Sequence, residues 1–444
     1  MTLPGPLPPL DDEELVLGQN AHGFDALSRM VQRHRSSFRV PSPLGEEQIV
    51  LMDPDEVRHV LVARHQSYSK GRTFANMKLL MGNGLIVQDG GFWRQQRKMI
   101  QPLFHERVLL RMANTMRKLT LDLLEEWKKK AQLGEHVDVG HDVSKTTLYI
   151  LLEALFSDDL ERMKDADGKN PFDLLVDELS RSLSLVPRFR ALLGHVVRVA
   201  QLRIQEGRFP PDLLSMLLAA RTAGGEPMPL EQVRDEVATL IVAGHETTAA
   251  LLTWAWHLLA CHPDVEARLH AEVDAQAIHA AELSSMPAFG YLSMVVFETL
   301  RLYPPVWLED RIALEDDTIA GYHVPRGAEV FIPIYFLQRD ARFFERPTEF
   351  DPERFATYPM DRRYVGGRSP ASNARPSTQP AFLAFAVGPR RCIGDQFALL
   401  NAQVHLGIIA CQLRMHAARK GPLALEPLVN LRPKGATWMA PRLR

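Results

Sequence analysis

The residues of this 444-residue chain best placed for chemistry surround Cys392, one of only three cysteines. Phe385, Gly388, Arg390, Cys392 and Gly394 spell F-x-x-G-x-R-x-C-x-G, and an apolar, helix-like run starts near Asp395. Gly388-Pro389 predicts a tight turn before the cysteine, and Gly394 lets the backbone pass close to something flat or bulky. A thiol just ahead of a helix meets free N–H groups and the positive end of the dipole, which favour a thiolate. Cys392 is therefore either an ordinary buried cysteine or a thiolate meant for a metal. Cys261 and Cys411 complete no C-x-x-C pair, which argues against zinc ribbons and cysteine-ligated iron–sulfur clusters.

Three further groups carry chemical potential. In Ala243-Gly244-His245-Glu246-Thr247-Thr248, glycine removes bulk and Thr247 can bond back to a carbonyl one turn away. Glu246 beside it adds a carboxylate to that hydroxyl, a pair able to pass protons. Glu298 and Arg301 stand at i,i+3, the spacing of a helical ion pair. Trp93 and Arg97 offer a ring N–H and a guanidinium, both donors suited to a carboxylate.

The cysteine segment resembles the haem-thiolate loop of the cytochrome P-450 monooxygenases, and Ala398 also fits that pattern. Trp93, Gly244, Glu298, Arg354 and Cys392 follow in the family's order, and the likeness covers about residues 35 to 443. The resemblance implies haem b (iron protoporphyrin IX) with Cys392 as axial ligand to iron. Phe385, Gly388 and Gly394 would shape the loop, with Ala243 and Gly244 against the cofactor. Trp93, Arg97, Arg390 and Arg311 would face the propionates. Thr247 would belong to the oxygen pocket and Glu246 to proton supply, while Glu298, Arg301 and the Arg354 of Pro352-Glu353-Arg354-Phe355 would form a supporting triad.

The same resemblance implies substrate-lining segments at residues 72 to 87 (Phe74, Met77, Leu80, Met81, Ile86, Val87), 172 to 194, Ala243, and Val306, Trp307 and Leu308. They are mostly apolar. "GGFWRQQRKMIQPLFH" and "AGHETTAALLTWAWHLL" look closer to the fatty-acid-hydroxylating and microsomal-type branch than to the small-terpene bacterial branch. A medium- or long-chain fatty acid is the expected substrate, its carboxylate held by Arg72 or an arginine between 188 and 203, with a steroid or terpenoid as alternative. A haem-binding protein without turnover is the alternative of another class, and a peroxide-driven or dehydratase-type relative is a further one. The Glu246–Thr247 pair argues against both. No G-x-G-x-x-G follows a strand and no ferredoxin-type cysteine set is present. Electrons are expected from a separate ferredoxin and its reductase, or a flavodoxin-type donor, docking near Lys98, Arg107 and Arg391.

These groups need a scaffold. Apolar residues at three- and four-residue steps predict a helix from about Glu231 to Cys261, roughly 45 Å long. "SSFRVPSPLGEEQIVLM" reads as two strands around a turn, and Asp53 caps the helix that follows. "GYHVPRGAEVFIPI" reads as a hairpin turning at Pro325 to Gly327, and residues 357 to 380 as an irregular surface loop. The expected fold is mainly α with a small β subdomain. An N-terminal segment (1–34) precedes one haem domain (35–444). A formal net charge of −2 points to neither nucleic acid nor anionic lipid. The start lacks the marks of a signal peptide and no stretch spans a membrane, so the cytoplasm is the expected location.

Overall fold

The computed structural model describes residues 17–40, 42, 47–164, 170–178, 186–276, 290–356, 381–419 and 421–444. The expected loop at 357 to 380 lies outside the described residues. The first helices are α1 (Ala21–Arg33), α2 (Pro54–Arg58), α3 (Thr73–Met81), α4 (Gly90–Ile100) and α5 (Glu106–Leu133). There follow α6 (Val139–Phe156), α7 (Asp159–Arg162), α8 (Leu175–Glu178), α9 (Val186–Glu206) and α10 (Leu213–Ala219). The last are α11 (Leu230–Cys261), α12 (Pro263–Gln276), α13 (Tyr291–Leu302), α14 (Ile334–Leu337) and α15 (Asp395–Ala410). Among the described residues no helix is long and apolar enough to cross a membrane.

The predicted long helix forms without interruption as α11. Its apolar residues are buried on several sides, because α6, α9, α13 and α15 all pack against it. His262 ends it, and Pro263 opens α12, where a missing N–H costs nothing. Asp53 caps α2 as expected, its carboxylate accepting from the Asp55 N–H at 2.8 Å. Beyond Arg58 the backbone continues as one π-helical turn, His59–Ala63.

Strands β1 (Phe38–Val40), β2 (Gln48–Val50), β3 (Tyr68–Lys70), β5 (Glu309–Ala313) and β8 (Glu329–Ile332) form one sheet in the order β1-β2-β8-β5-β3. All its pairings are antiparallel except β2 with β8. A second sheet orders β4 (Val137–Asp138), β12 (Trp438–Leu443) and β9 (Leu413–Ala417). Two hairpins remain, β6 (Asp317–Ile319) with β7 (Tyr322–Val324), and β10 (Leu425–Pro427) with β11 (Leu431–Pro433). This corrects the hairpin expected at 321 to 334. The turn is there, with the Ala328 N–H on the Pro325 carbonyl, but β7 pairs back with β6 while β8 joins the five-stranded sheet. A local turn signal does not choose a strand's partner.

Two apolar cores result, one among the helices and one around the five-stranded sheet. The N-terminal segment is not set apart, since Leu17, Phe24 and Leu27 lie in the second core. Trp307 lies there too, edge-on to Phe24 with ring centroids 5.2 Å apart and its N–H on the Leu428 carbonyl. It is a core residue of the β region, not the substrate contact expected of it.

Arg203 of α9 is fully buried and its donors are taken up by Asp159, Asp212, the Ser215 hydroxyl and the Phe156 carbonyl. It joins α7, α9 and α10. Arg203→Ala would leave the buried Asp212 without its cation, while Asp159 keeps Arg208 and Arg162, and should cost about 3–5 kcal/mol, read as a lowered denaturant midpoint.

Candidate active site

The cysteine loop is built from the backbone up. The Cys392 N–H donates to the Phe385 carbonyl at 3.0 Å, and the Arg391 N–H to the Gly388 carbonyl at 3.1 Å. Gly388 has φ of +77°, and a Cβ there would run into the Leu61 carbonyl, so glycine is required twice over. Phe385 packs against the helical core. A Cβ on Gly394 would meet only Phe104, at an ordinary 3.5 Å, so the protein's own atoms do not demand glycine there.

Cys392 keeps solvent-accessible surface yet is closely surrounded by protein atoms, with α15 starting at Asp395. The expected lowering of its pKa is not found. Burial of the thiolate pushes the thiol up to about 11, and Asp395 adds to the rise. The Gly394 N–H, Arg97 and Arg391 pull the other way without prevailing.

Behind the loop stands the expected triad. Arg301 grips Glu298 with two nitrogens at 2.6 and 2.7 Å, and both side chains are fully buried. Arg354 reaches the same carboxylate at 3.4 Å. Arg301 also donates to the carbonyls of Gln338, Pro347 and Glu349. Gln338, which sequence reasoning missed, connects this cluster to the loop. Its amide donates to the Leu300 and Arg301 carbonyls at 3.0 Å and accepts the Leu383 N–H at 2.8 Å. A single buried glutamine leaves no pattern in a sequence.

On another side lies a cluster of buried and half-buried charge. Arg390 pairs with Asp89, donates to the Gln88 carbonyl at 3.1 Å and sits over the Trp93 ring at 4.8 Å. Arg311 pairs with Glu309. Arg97 donates to the Arg391 carbonyl at 2.8 Å. Lys70 is an unexpected member, with its Nζ 4.2 Å from the centre of the Phe74 ring. Burial first, then Arg311, lowers the Lys70 ammonium to about 7. Three cations, Lys70, Arg311 and Arg390, thus act on one another against two carboxylates, Glu309 and Asp89. Arg391, offered above as a docking charge, is tied to Asp395 at 2.6 Å, whereas Lys98 and Arg107 are exposed.

On α11, the Thr247 hydroxyl donates to the Ala243 carbonyl at 2.6 Å. That hydroxyl's proton is committed, and its lone pairs remain to accept. Glu246 accepts from Asn430 at 2.9 Å, between β10 and β11. The open side of Gly244 is directed at Leu151 of α6, 3.3 Å from where a Cβ would lie. The glycine therefore lets α11 pack closely on α6. His245 is buried, its Nε2 2.9 Å from the Ser144 hydroxyl, and burial lowers its pKa to about 4, so it stays neutral.

Of the expected lining residues, Phe74, Met77, Leu80, Ile86, Val87 and Val306 are half-buried and Met81 is buried. An exposed thiol, a loop in which a Cβ on Gly394 would meet only Phe104, and the cations Lys70, Arg97, Arg311 and Arg390 suit a flat iron cofactor bearing two carboxylates. The residues present fit haem.

The family model described as Cytochrome P450 matches residues 15–197 and 188–438. Cyclooctatin synthase of Streptomyces melanosporofaciens is 32% identical over 397 residues, 85% of this chain and 83% of that protein. Protein LUTEIN DEFICIENT 5, chloroplastic, of Arabidopsis thaliana is 28% identical, covering 84% of this chain and 66% of its own length. The crystal structure of the cytochrome P450DA heme domain superposes with a TM-score of 0.83 at 24% identity, covering 100% of this chain and 97% of that one. Fold, motif order and family model agree, and the chain belongs to the cytochrome P450 family of haem b-dependent monooxygenases.

Proposed function

We propose that Cys392 is the axial ligand of the haem iron, in a monooxygenase acting on an apolar substrate. The observation that carries this is the exposed thiol on a loop braced from behind by the Glu298–Arg301–Gln338 network. A thiol pushed up to about 11 must give up its proton on binding metal, and the metal bond itself drives that loss. When bound, haem supplies activation of O2, with one oxygen atom entering a C–H or C=C bond and the other leaving as water.

The remaining roles belong to the chain. Trp93, Arg97, Arg311 and Arg390, with Lys70, hold the propionates, and a propionate beside Lys70 would offset the burial and the Arg311 charge that lower its ammonium to about 7. Phe385, Gly388 and Gly394 shape the loop. The Thr247 hydroxyl accepts a hydrogen bond and orients its donor, because it donates its own proton to the Ala243 carbonyl. Glu246 is the proton source, held in place by Asn430. Glu298, Arg301 and Arg354 are structural. A ferredoxin with its reductase, or a flavodoxin-type donor, docks where Lys98 and Arg107 are exposed.

Among substrates, a medium- or long-chain fatty acid is the first reading, supported by the apolar 72–87 segment and the wording of the helix motifs. Arg203 cannot serve it, being saturated by Asp159 and Asp212. Arg190, exposed on α9 with its Nε on the Leu79 carbonyl of α3 at 2.9 Å, is better placed for a carboxylate, as is Arg72 at the start of α3. The second reading is a steroid or terpenoid. It is favoured by relatives named for cyclooctatin and lutein rather than for fatty acids.

Cys392→Ser should remove the red-shifted Soret band that thiolate ligation gives the reduced carbon-monoxide complex, while Cys261→Ala and Cys411→Ala keep it. Thr247→Ala should lower product formed per electron pair by on the order of tenfold, with hydrogen peroxide released instead. Spin-shift titration against fatty acids, steroids and terpenoids tests the substrate. A fatty acid should shift the spin state and lose affinity in Arg190→Ala and Arg72→Ala, whereas a response only to steroids or terpenoids transfers the assignment to the second reading.

A further inference from the structure

Helix α3 buries little of itself. Met81 is its one fully buried residue among those described, and Leu79 is 48% exposed. Such a short helix has little apolar packing to fix it. Its two ends are instead held by buried carboxylates from two different parts of the fold.

At its start, the Arg72 N–H donates to Glu329 of β8 and the Thr73 N–H to Asp310 of β5, each at 3.1 Å. The Thr73 hydroxyl gives Asp310 a further bond, and a Cβ on Gly71 would run into the same carboxylate. Beyond its end, the Asn83 N–H donates to Asp235 at 2.8 Å and the Leu85 N–H to Glu236 at 2.9 Å, both on α11. Gln232 links the two partners, donating to the Asn83 carbonyl at 3.0 Å and to Glu236 at 2.7 Å. Gly82 and Gly84 have no space for a Cβ, which would meet Asp235 and the Thr239 hydroxyl. All four acids are buried. Charge-assisted bonds from backbone N–H groups to buried carboxylates are stronger than neutral ones and fix the main chain itself.

We propose that Asp310 with Glu329, and Asp235 with Glu236, are positioning residues that suspend the 71–87 strap at both ends and thereby set the shape of the substrate cavity. This rests on the proposed placement of residues 72–87 along that cavity.

The strap is sensitive to pH. Both oxygens of Glu236 face donors, so the ionised carboxylate satisfies both and a proton displaces one. Burial raises Glu236 to about 7, with Asp235, itself paired with Arg234, as the neighbouring charge. Glu329 is also raised, by burial first and then by Asp310, with Arg72 opposing. Burial alone would make the fold lose stability as pH rises through about 7, but the Leu85 N–H and Gln232 bonds oppose that rise, so the strap contact itself favours the ionised acid and weakens when Glu236 takes up a proton.

The test compares Glu236→Gln and Glu329→Gln with the wild-type holoenzyme, using 4-phenylimidazole as a cavity-filling iron ligand and imidazole as a small one. At about pH 8, 4-phenylimidazole affinity should change by about three- to tenfold, the equivalent of one lost hydrogen bond, while imidazole affinity stays put. At about pH 6 the variant-to-wild-type ratio should return towards one, because the wild-type acid is then protonated, and the ligand's own protonation cancels in that ratio. Hydrogen exchange of the backbone amides should rise at 82–87 in Glu236→Gln and at 72–75 in Glu329→Gln. Unchanged exchange in both variants would overturn the suspension while leaving the cavity placement of 72–87 intact. Faster exchange with unchanged 4-phenylimidazole affinity would overturn that placement, and the inference with it. If one variant fails to hold haem, the other carries the same test.

Discussion

A metal-binding thiol has to face its cofactor, so it cannot be held from that side. Everything that fixes Cys392 must act through the backbone on the other face of its loop. The Glu298–Arg301 pair meets that demand, because a fully buried guanidinium with every donor engaged is immovable without large cost. Gln338 carries this rigidity forward to Leu383, and the Phe385–Cys392 backbone bond closes the loop. Removing Glu298 would leave the buried Arg301 without a carboxylate, and removing Arg301 would leave Glu298 only the longer contact with Arg354 and the Asp351 N–H.

Helix α11 imposes the complementary constraint from the opposite direction. One stretch of it gives the Ala243–Thr247 hydroxyl bond and the Glu246–Asn430 contact, an earlier stretch grips the Asn83–Leu85 backbone, and another packs through Gly244 on α6. A single rigid rod thus sets the relative position of the proposed proton-handling groups and the proposed cavity wall. Position along it, rather than direct contact, coordinates the two.

How far this was legible in the sequence depended on whether the signal was local. The periodicity of α11, the Asp53 cap and the spacing around Cys392 are properties of neighbouring residues, and each appears in the fold at the expected place. The turn at Pro325 to Gly327 was local too, but the partner of β8 was not, and the expected hairpin failed on that point. Lys70, Asp89, Glu309 and Gln338 carry no pattern, because their partners come from segments distant in the sequence. Trp307 went to the wrong core for the same reason, and the Cys392 thiol rose because burial outweighed the helix terminus. Among the motifs, Gly244 was recognised by its letters, yet its physical task became visible only when Leu151 was seen beside it.

The parallel pairing of β2 with β8 joins residues 48–50 to residues 329–331. Until the later strand leaves the ribosome, the antiparallel ribbon of β1 and β2 has an open edge. Translation at about 5–20 residues per second would leave that edge unpaired for on the order of half a minute. The nascent chain therefore passes through a long interval in which its first sheet is a template for wrong pairing, and completing that sheet is a late event of synthesis rather than an early one.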